Sequence, residues 1–150
     1  MKKDRILFFL FLLIFLVSAT LLISGSSILV VSLLDVPAGT PITWLGLISL
    51  ASMVYLGIRA IRHPETGIYK ILNWILKLNI LLAILWVPIC YFLAGNLSFN
   101  FSEKATFQGG QLAMRIFWIF TYSLVATPLL LILFHYMISL FRVLWKKSQK

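Results

Sequence analysis

Apolar residues run along this chain in four long blocks separated by three shorter polar stretches. The blocks extend from Ile6 to Leu34, from about Trp44 to Ile61, from about Ile71 to Leu93 and from about Leu112 to Leu144. A helix needs about 20 mostly apolar residues to cross the hydrocarbon core of a bilayer, so each block predicts one transmembrane helix. The first is longer than a crossing requires, and its middle, "SATLLISGSS", is softer. That excess predicts a tilt, a bend near Gly25, or a last turn projecting past the bilayer. "MKKDR" followed by Ile6 to Val17 also has the form of a signal peptide's basic and apolar regions. No A-x-A cleavage pattern follows, and "ILVVSLL" carries the apolar run past Gly25, Ser26 and Ser27. The segment is therefore expected to be kept as a helix.

Composition agrees with this pattern. Of the 150 residues, 61% are hydrophobic and only 11% charged, with a mean hydropathy of +1.02. Soluble domains are about a quarter charged. The expected fold is an all-α integral membrane protein, a single domain of four transmembrane helices. The block pattern shows no internal repeat, inverted or parallel, of the kind that marks transporter halves.

Charge adds orientation. The formal net charge is +9, but the basic residues sit at the ends of apolar blocks and not along one solvated face. This argues against nucleic acid and for contact with anionic lipids at the cytoplasmic face. Lys2, Lys3 and Arg5 precede the first block; Arg59, Arg62 and Lys70 flank the second loop; Arg142, Lys146, Lys147 and Lys150 end the fourth. The loop "DVPAGTP" has no Lys or Arg, and "GNLSFNFSEKATFQGG" has only Lys104, with Arg115 just beyond it. The excess of Lys and Arg predicts both termini and the second loop in the cytoplasm. The start and the short loops suggest a bacterial inner (cytoplasmic) membrane, where the N-x-S sequons at Asn96 and Asn100 are chance matches.

Polar residues at membrane depth are the candidates for function, because unpaired polar groups there cost several kcal/mol. The third block offers Asn73, Lys77, Asn79 and Tyr91. Helical spacing puts Asn73, Lys77 and Tyr91 on one face and Asn79 on the other, among Ile68, Ile71, Leu72, Ile75, Leu78 and Leu82. Lys77 is expected to snorkel or to find a counter-charge outside the chain, since Asp4, Asp35, Glu65 and Glu103 all lie in termini or loops. That absence also removes the intramembrane carboxylate on which proton-coupled carriers rely. The fourth block carries Thr121, Pro128, His135 and Arg142 at intervals of seven, roughly on one face. Pro128 frees the carbonyl of Leu124, and Pro88 frees that of Ile84, so both helices are expected to kink. Ser123 and Thr127 are candidates to satisfy the freed groups.

Catalytic chemistry finds little footing. Cys90 is the only cysteine and lies inside an apolar block, which excludes an intramolecular disulfide and Cys-x-x-Cys chemistry. Two histidines, His63 in a loop and His135 in a span, supply neither a bis-histidine haem site nor a zinc site. No cofactor, no metal and no catalytic set is expected, and His135 reads as a helix-packing or interfacial residue. "DVPAGTP" reads as a turn, whereas in "NLSFNFS" the alternation of Leu97, Phe99 and Phe101 with polar residues reads as an extended strand.

The loop "RHPETG" resembles in part the R-H-P-x-Y-x-G signature of the isoprenylcysteine carboxyl methyltransferase family. Arg62, His63 and Pro64 match; Thr66 stands in the tyrosine's place, and Gly67 comes one residue early. The resemblance implies a membrane enzyme using S-adenosylmethionine at its cytoplasmic face. The residues themselves favour a non-enzymatic protein acting through helix–helix or loop contacts. It would be an accessory or assembly subunit with a membrane-protein partner, or a small membrane immunity protein. The competing expectation is a small transporter or channel, which would need a homo-oligomer to line a pore with so few polar groups.

Overall fold

The computed structural model describes residues 2–33, 36–99, 101 and 107–148. Its long elements are α1 (Lys2–Ile23), α2 (Gly39–Gly57), α4 (Gly67–Ile84), α5 (Trp86–Ala94) and α6 (Gly110–Ser148), with a single turn, α3 (Arg59–Arg62), between α2 and α4. Among these residues the fold is all-α but for one small hairpin, and four helices are long and apolar enough to span a membrane.

The first apolar block is cut where its sequence softens. Helix α1 ends at Ile23, and Gly25 takes a positive φ of 60° that a side chain rarely allows. The remaining apolar residues form a 3-10 turn (Ser27–Val30) capped by the Ser26 hydroxyl, then a hairpin of β1 (Ser32–Leu33) with β2 (Val36–Pro37). Helix α2 starts five residues before Trp44, at Gly39, since Pro41 is tolerated in a first turn where no N–H is needed. The third block is two helices, interrupted at Leu85 three residues before Pro88. Helix α6 has 39 residues, about 58 Å at 1.5 Å per residue. It therefore outruns a hydrocarbon core of about 30 Å.

Helix α2 is the centre of the bundle, touching α1, α4 and α6. The approach of α1 is close: a Cβ placed on Gly46 would stand 3.0 Å from Ser18 Cβ, and one on Gly57 3.0 Å from the Phe8 ring. Small residues at such crossings let membrane helices approach backbone to backbone. Two apolar clusters fill the interior. One gathers Leu47, Ala83, Trp86, Phe99, Phe117 and Leu124. The other holds Ala51, Val54, Ile61, Tyr69, Leu76 and Leu131.

The "NLSFNFS" segment is not a strand where it is described. The Asn96 side chain accepts hydrogen bonds from the backbone N–H groups of Ser98 and Phe99, and Phe101 N–H closes a turn onto the Ser98 carbonyl. That turn drives Phe99 (φ 44°) into the core against Trp86 and Phe117. Local side-chain capping by asparagine has overridden the period-two pattern. Asn100 and Ser102 lie outside the described residues, as does Asp35 of the first loop.

Candidate functional site

Helix α4 turns both asparagines inward and many of its large apolar residues outward. Tyr69, Leu72, Asn73, Leu76, Asn79 and Ala83 are buried at helical spacing, while Ile68, Ile71, Trp74, Ile75 and Leu78 are exposed. Asn73 therefore sides with Asn79, and Lys77 faces out. This corrects the expectation from spacing alone, which pairs Asn73 with Lys77 and sets Asn79 apart. The buried stripe is centred between Leu72 and Leu76, which takes in both asparagines and leaves Lys77 on the flank. Tyr91 drops out because the interruption at Leu85 breaks the register between it and Asn73. In a bilayer the outward face of Ile, Leu and Trp meets lipid tails, so burying the polar stripe is the favourable choice.

Several polar side chains inside the bundle bond across helices. Asn73 donates its amide to the Ile61 carbonyl, securing the end of α3 against α4. Asn79 donates to the Leu124 carbonyl at 3.5 Å, a long contact, while its own carbonyl oxygen is buried without a partner. Trp44 donates its indole N–H to the carbonyls of Ala83 and Ile84, each at 3.1 Å. Trp86 donates to the Thr121 hydroxyl at 2.9 Å. The backbone groups that Pro88 and Pro128 leave free are thus met by side chains from neighbouring helices. Ser123 and Thr127 instead bond the carbonyls of Phe120 and Ser123, within their own helix.

The stripe at intervals of seven on α6 holds as a packing face. Thr121 and Pro128 are buried, and His135 Nδ1 lies 2.9 Å from the Tyr69 hydroxyl. The Arg142 guanidinium lies 5.4 Å from the centroid of the same Tyr69 ring. His135 accordingly joins α6 to α4. Of the four candidate residues, Asn73, Asn79 and His135 join helices within the chain, and Lys77 alone projects from it.

Four arginines collect at one end of the bundle. Arg5 at the start of α1, Arg59 and Arg62 on α3, and His63 share one cleft, and Arg59, His63, Tyr69 and Arg142 share another. Arg62 reaches Asp4 at 3.4 Å and donates its Nε to His63 Nε2 at 3.2 Å. Toward the other end, a largely apolar cavity of about 520 Å³ lies between α1, α2 and α6, walled by Phe15, Trp86, Phe117 and Trp118. Among the described residues no three His, Cys, Asp or Glu side chains come together as metal ligands would.

Sequence reasoning missed the indole donors. A proline in a membrane helix demands a donor for the carbonyl four residues before it; Trp44, inside the second apolar block, meets this demand at Ile84, while Trp86 donates to the Thr121 hydroxyl. The demand is legible in the sequence; which helix answers it is not. No protein-family model, no curated protein and no solved structure matches the chain.

Proposed function

We propose that the chain is a non-enzymatic subunit of a membrane assembly, working through contacts between its outward faces and another membrane protein. In this reading it resides in a bacterial inner membrane with both termini in the cytoplasm. The gathering of Arg5, Arg59, Arg62 and Arg142 at one end supports that orientation.

The observation that carries the proposal is Lys77. It stands on the outward face of α4 beside Trp74 and Leu78, about 15 Å along the helix from Gly67 at 1.5 Å per residue. An ammonium on a lipid-facing surface is costly unless it reaches the headgroups or meets a counter-charge. None of the four acids of the chain lies in an apolar block. A partner helix bearing a carboxylate supplies what the chain lacks. A transporter or channel has less support, since Asn73, Asn79, Trp44 and Trp86 are all engaged in holding helices together.

The test is a photoreactive amino acid introduced singly at positions 74, 77 and 78, and at buried position 76, in native membranes. Adducts with one membrane protein from the three outward positions, and none from 76, are the expected result. Adducts with lipid alone overturn the proposal, and adducts with a second copy alone replace it by an oligomeric pore.

A further inference from the structure

At the end of the bundle where the arginines collect, the first turns of α1 face the junction of α2 and α3 across a cleft of about 770 Å³. The cleft has two chemistries. Its rim carries Arg5, Arg59, Arg62 and His63; one turn further into the helices its wall is Phe8, Phe9 and Leu56. The acid at the rim, Asp4, is ion-paired with Arg62. Arg5 and Arg59 are exposed and make no ion pair among the described residues, so they remain as uncompensated positive charge facing one space. Gly57 lets the Phe8 ring lie close against the α2 backbone, since a Cβ there would stand 3.0 Å from that ring.

A positive rim above an apolar wall, at the end of a membrane bundle, is complementary to one kind of molecule. We propose that this cleft binds a single anionic phospholipid, its phosphate between Arg5 and Arg59 and the upper part of its acyl chains along Phe8, Phe9 and Leu56. A free phosphate would leave the apolar wall bare. A diffuse attraction between basic residues and an anionic surface would need no cleft and would weigh all basic residues alike. The inference stands apart from the identity of any protein partner, since it rests on α1, α2 and α3 and not on the outward face of α4.

The test uses the full chain purified in mild detergent from mixed vesicles of phosphatidylglycerol and phosphatidylcholine, with retained lipid read by native mass spectrometry. The wild type is expected to retain one phosphatidylglycerol in preference to phosphatidylcholine. Arg5→Gln and Arg59→Gln should each lower that preference about fivefold, from the attraction typical of one basic residue near an anionic surface. Arg59→Lys should keep most of it, and Lys70→Gln, which removes a charge outside the cleft, should leave it unchanged. A phosphatidylglycerol with a photoreactive acyl chain should label segments 4–9 and 56–63. Equal losses from Lys70→Gln and Arg59→Gln, displacement of the lipid by inorganic phosphate, or labelling confined to other segments would each overturn the site.

Discussion

The side-chain amide of Asn79 donates to the carbonyl oxygen of Leu124, 3.5 Å away, and this is the oxygen that Pro128 deprives of its helical donor. The indole of Trp44 stands in the same relation to Ile84, the carbonyl freed by Pro88. Both prolines are therefore sites of attachment, although α6 runs unbroken through Pro128: the carbonyl freed in one helix is the acceptor for another. Lipid tails offer no such donors, so each proline ties its helix to the one neighbour that does.

The Asn79–Leu124 contact predicts a coupling that a single substitution would hide. Asn79→Leu removes a long hydrogen bond but also relieves the buried, unpartnered Asn79 oxygen. These effects oppose, and the net change in stability should stay within about 1 kcal/mol. Pro128→Ala returns a helical donor to Leu124 and makes Asn79 redundant. A double-mutant cycle in micelles should then give a coupling of about 0.5–1.5 kcal/mol. Strict additivity of the two substitutions would show that the contact is incidental.

Trp44→Phe keeps the ring and removes the N–H that reaches Ala83 and Ile84. The α4–α5 junction should loosen, with hydrogen exchange quickened at the backbone amides of Trp86, Val87, Ile89 and Cys90. Stability should fall by about 1 kcal/mol, the usual net value of one such bond. Unchanged exchange there would mean the junction is held by packing alone.

At the opposite end Tyr69 makes two contacts that substitution can separate. Tyr69→Phe removes the hydroxyl facing His135 and keeps a ring beneath Arg142, while Tyr69→Leu loses both. The first should cost about 1 kcal/mol, and the second more, by about 0.5–2 kcal/mol for the cation–π contact. Equal losses from the two variants would show that Arg142 adds nothing to the ring contact.

The α1–α2 crossing gives a steric prediction. Gly46→Leu drives a side chain toward Ser18, where even a Cβ is at 3.0 Å, and should destabilise by about 1–3 kcal/mol. Gly67→Ala meets nothing within 4 Å and should be neutral or slightly stabilising. Disulfide trapping between cysteines placed on α1 and α2 reads the separation directly; efficient trapping in the Gly46→Leu variant would contradict the crossing.

Orientation is checked by fusions. A fluorescent protein after Lys150 should mature in the cytoplasm, and alkaline phosphatase inserted after Ser98 should be active outside it. The reverse pattern would refute the charge-based topology.

Much of the architecture is legible in the amino-acid sequence. Four apolar blocks announce four helices because backbone satisfaction in lipid leaves few other solutions. The end of α1 near Gly25 follows from a softer, glycine-bearing sequence. Facing is harder to read. The rows Ile68, Ile71, Ile75 and Leu78 look like a core stripe by the habits of soluble proteins, yet they are the outside of α4. Periodicity locates a face but does not say whether lipid or protein covers it. The pairing of Trp44 with Ile84 and of Asn79 with Leu124 depends on which helices are neighbours, and a single sequence does not carry that.

Helix α1 differs from the others in what would follow its removal. Among the described residues its one polar link to another helix is Asp4 to Arg62, at the very end. Lifting α1 away from α2 orphans no hydrogen bond within the span; it exchanges side-chain packing for lipid packing, which the bilayer nearly matches. Separating α2, α4 or α6 strands a donor in hydrocarbon. Of the four helices long and apolar enough to span a membrane, α1 is thus the one a bilayer would take back at least cost.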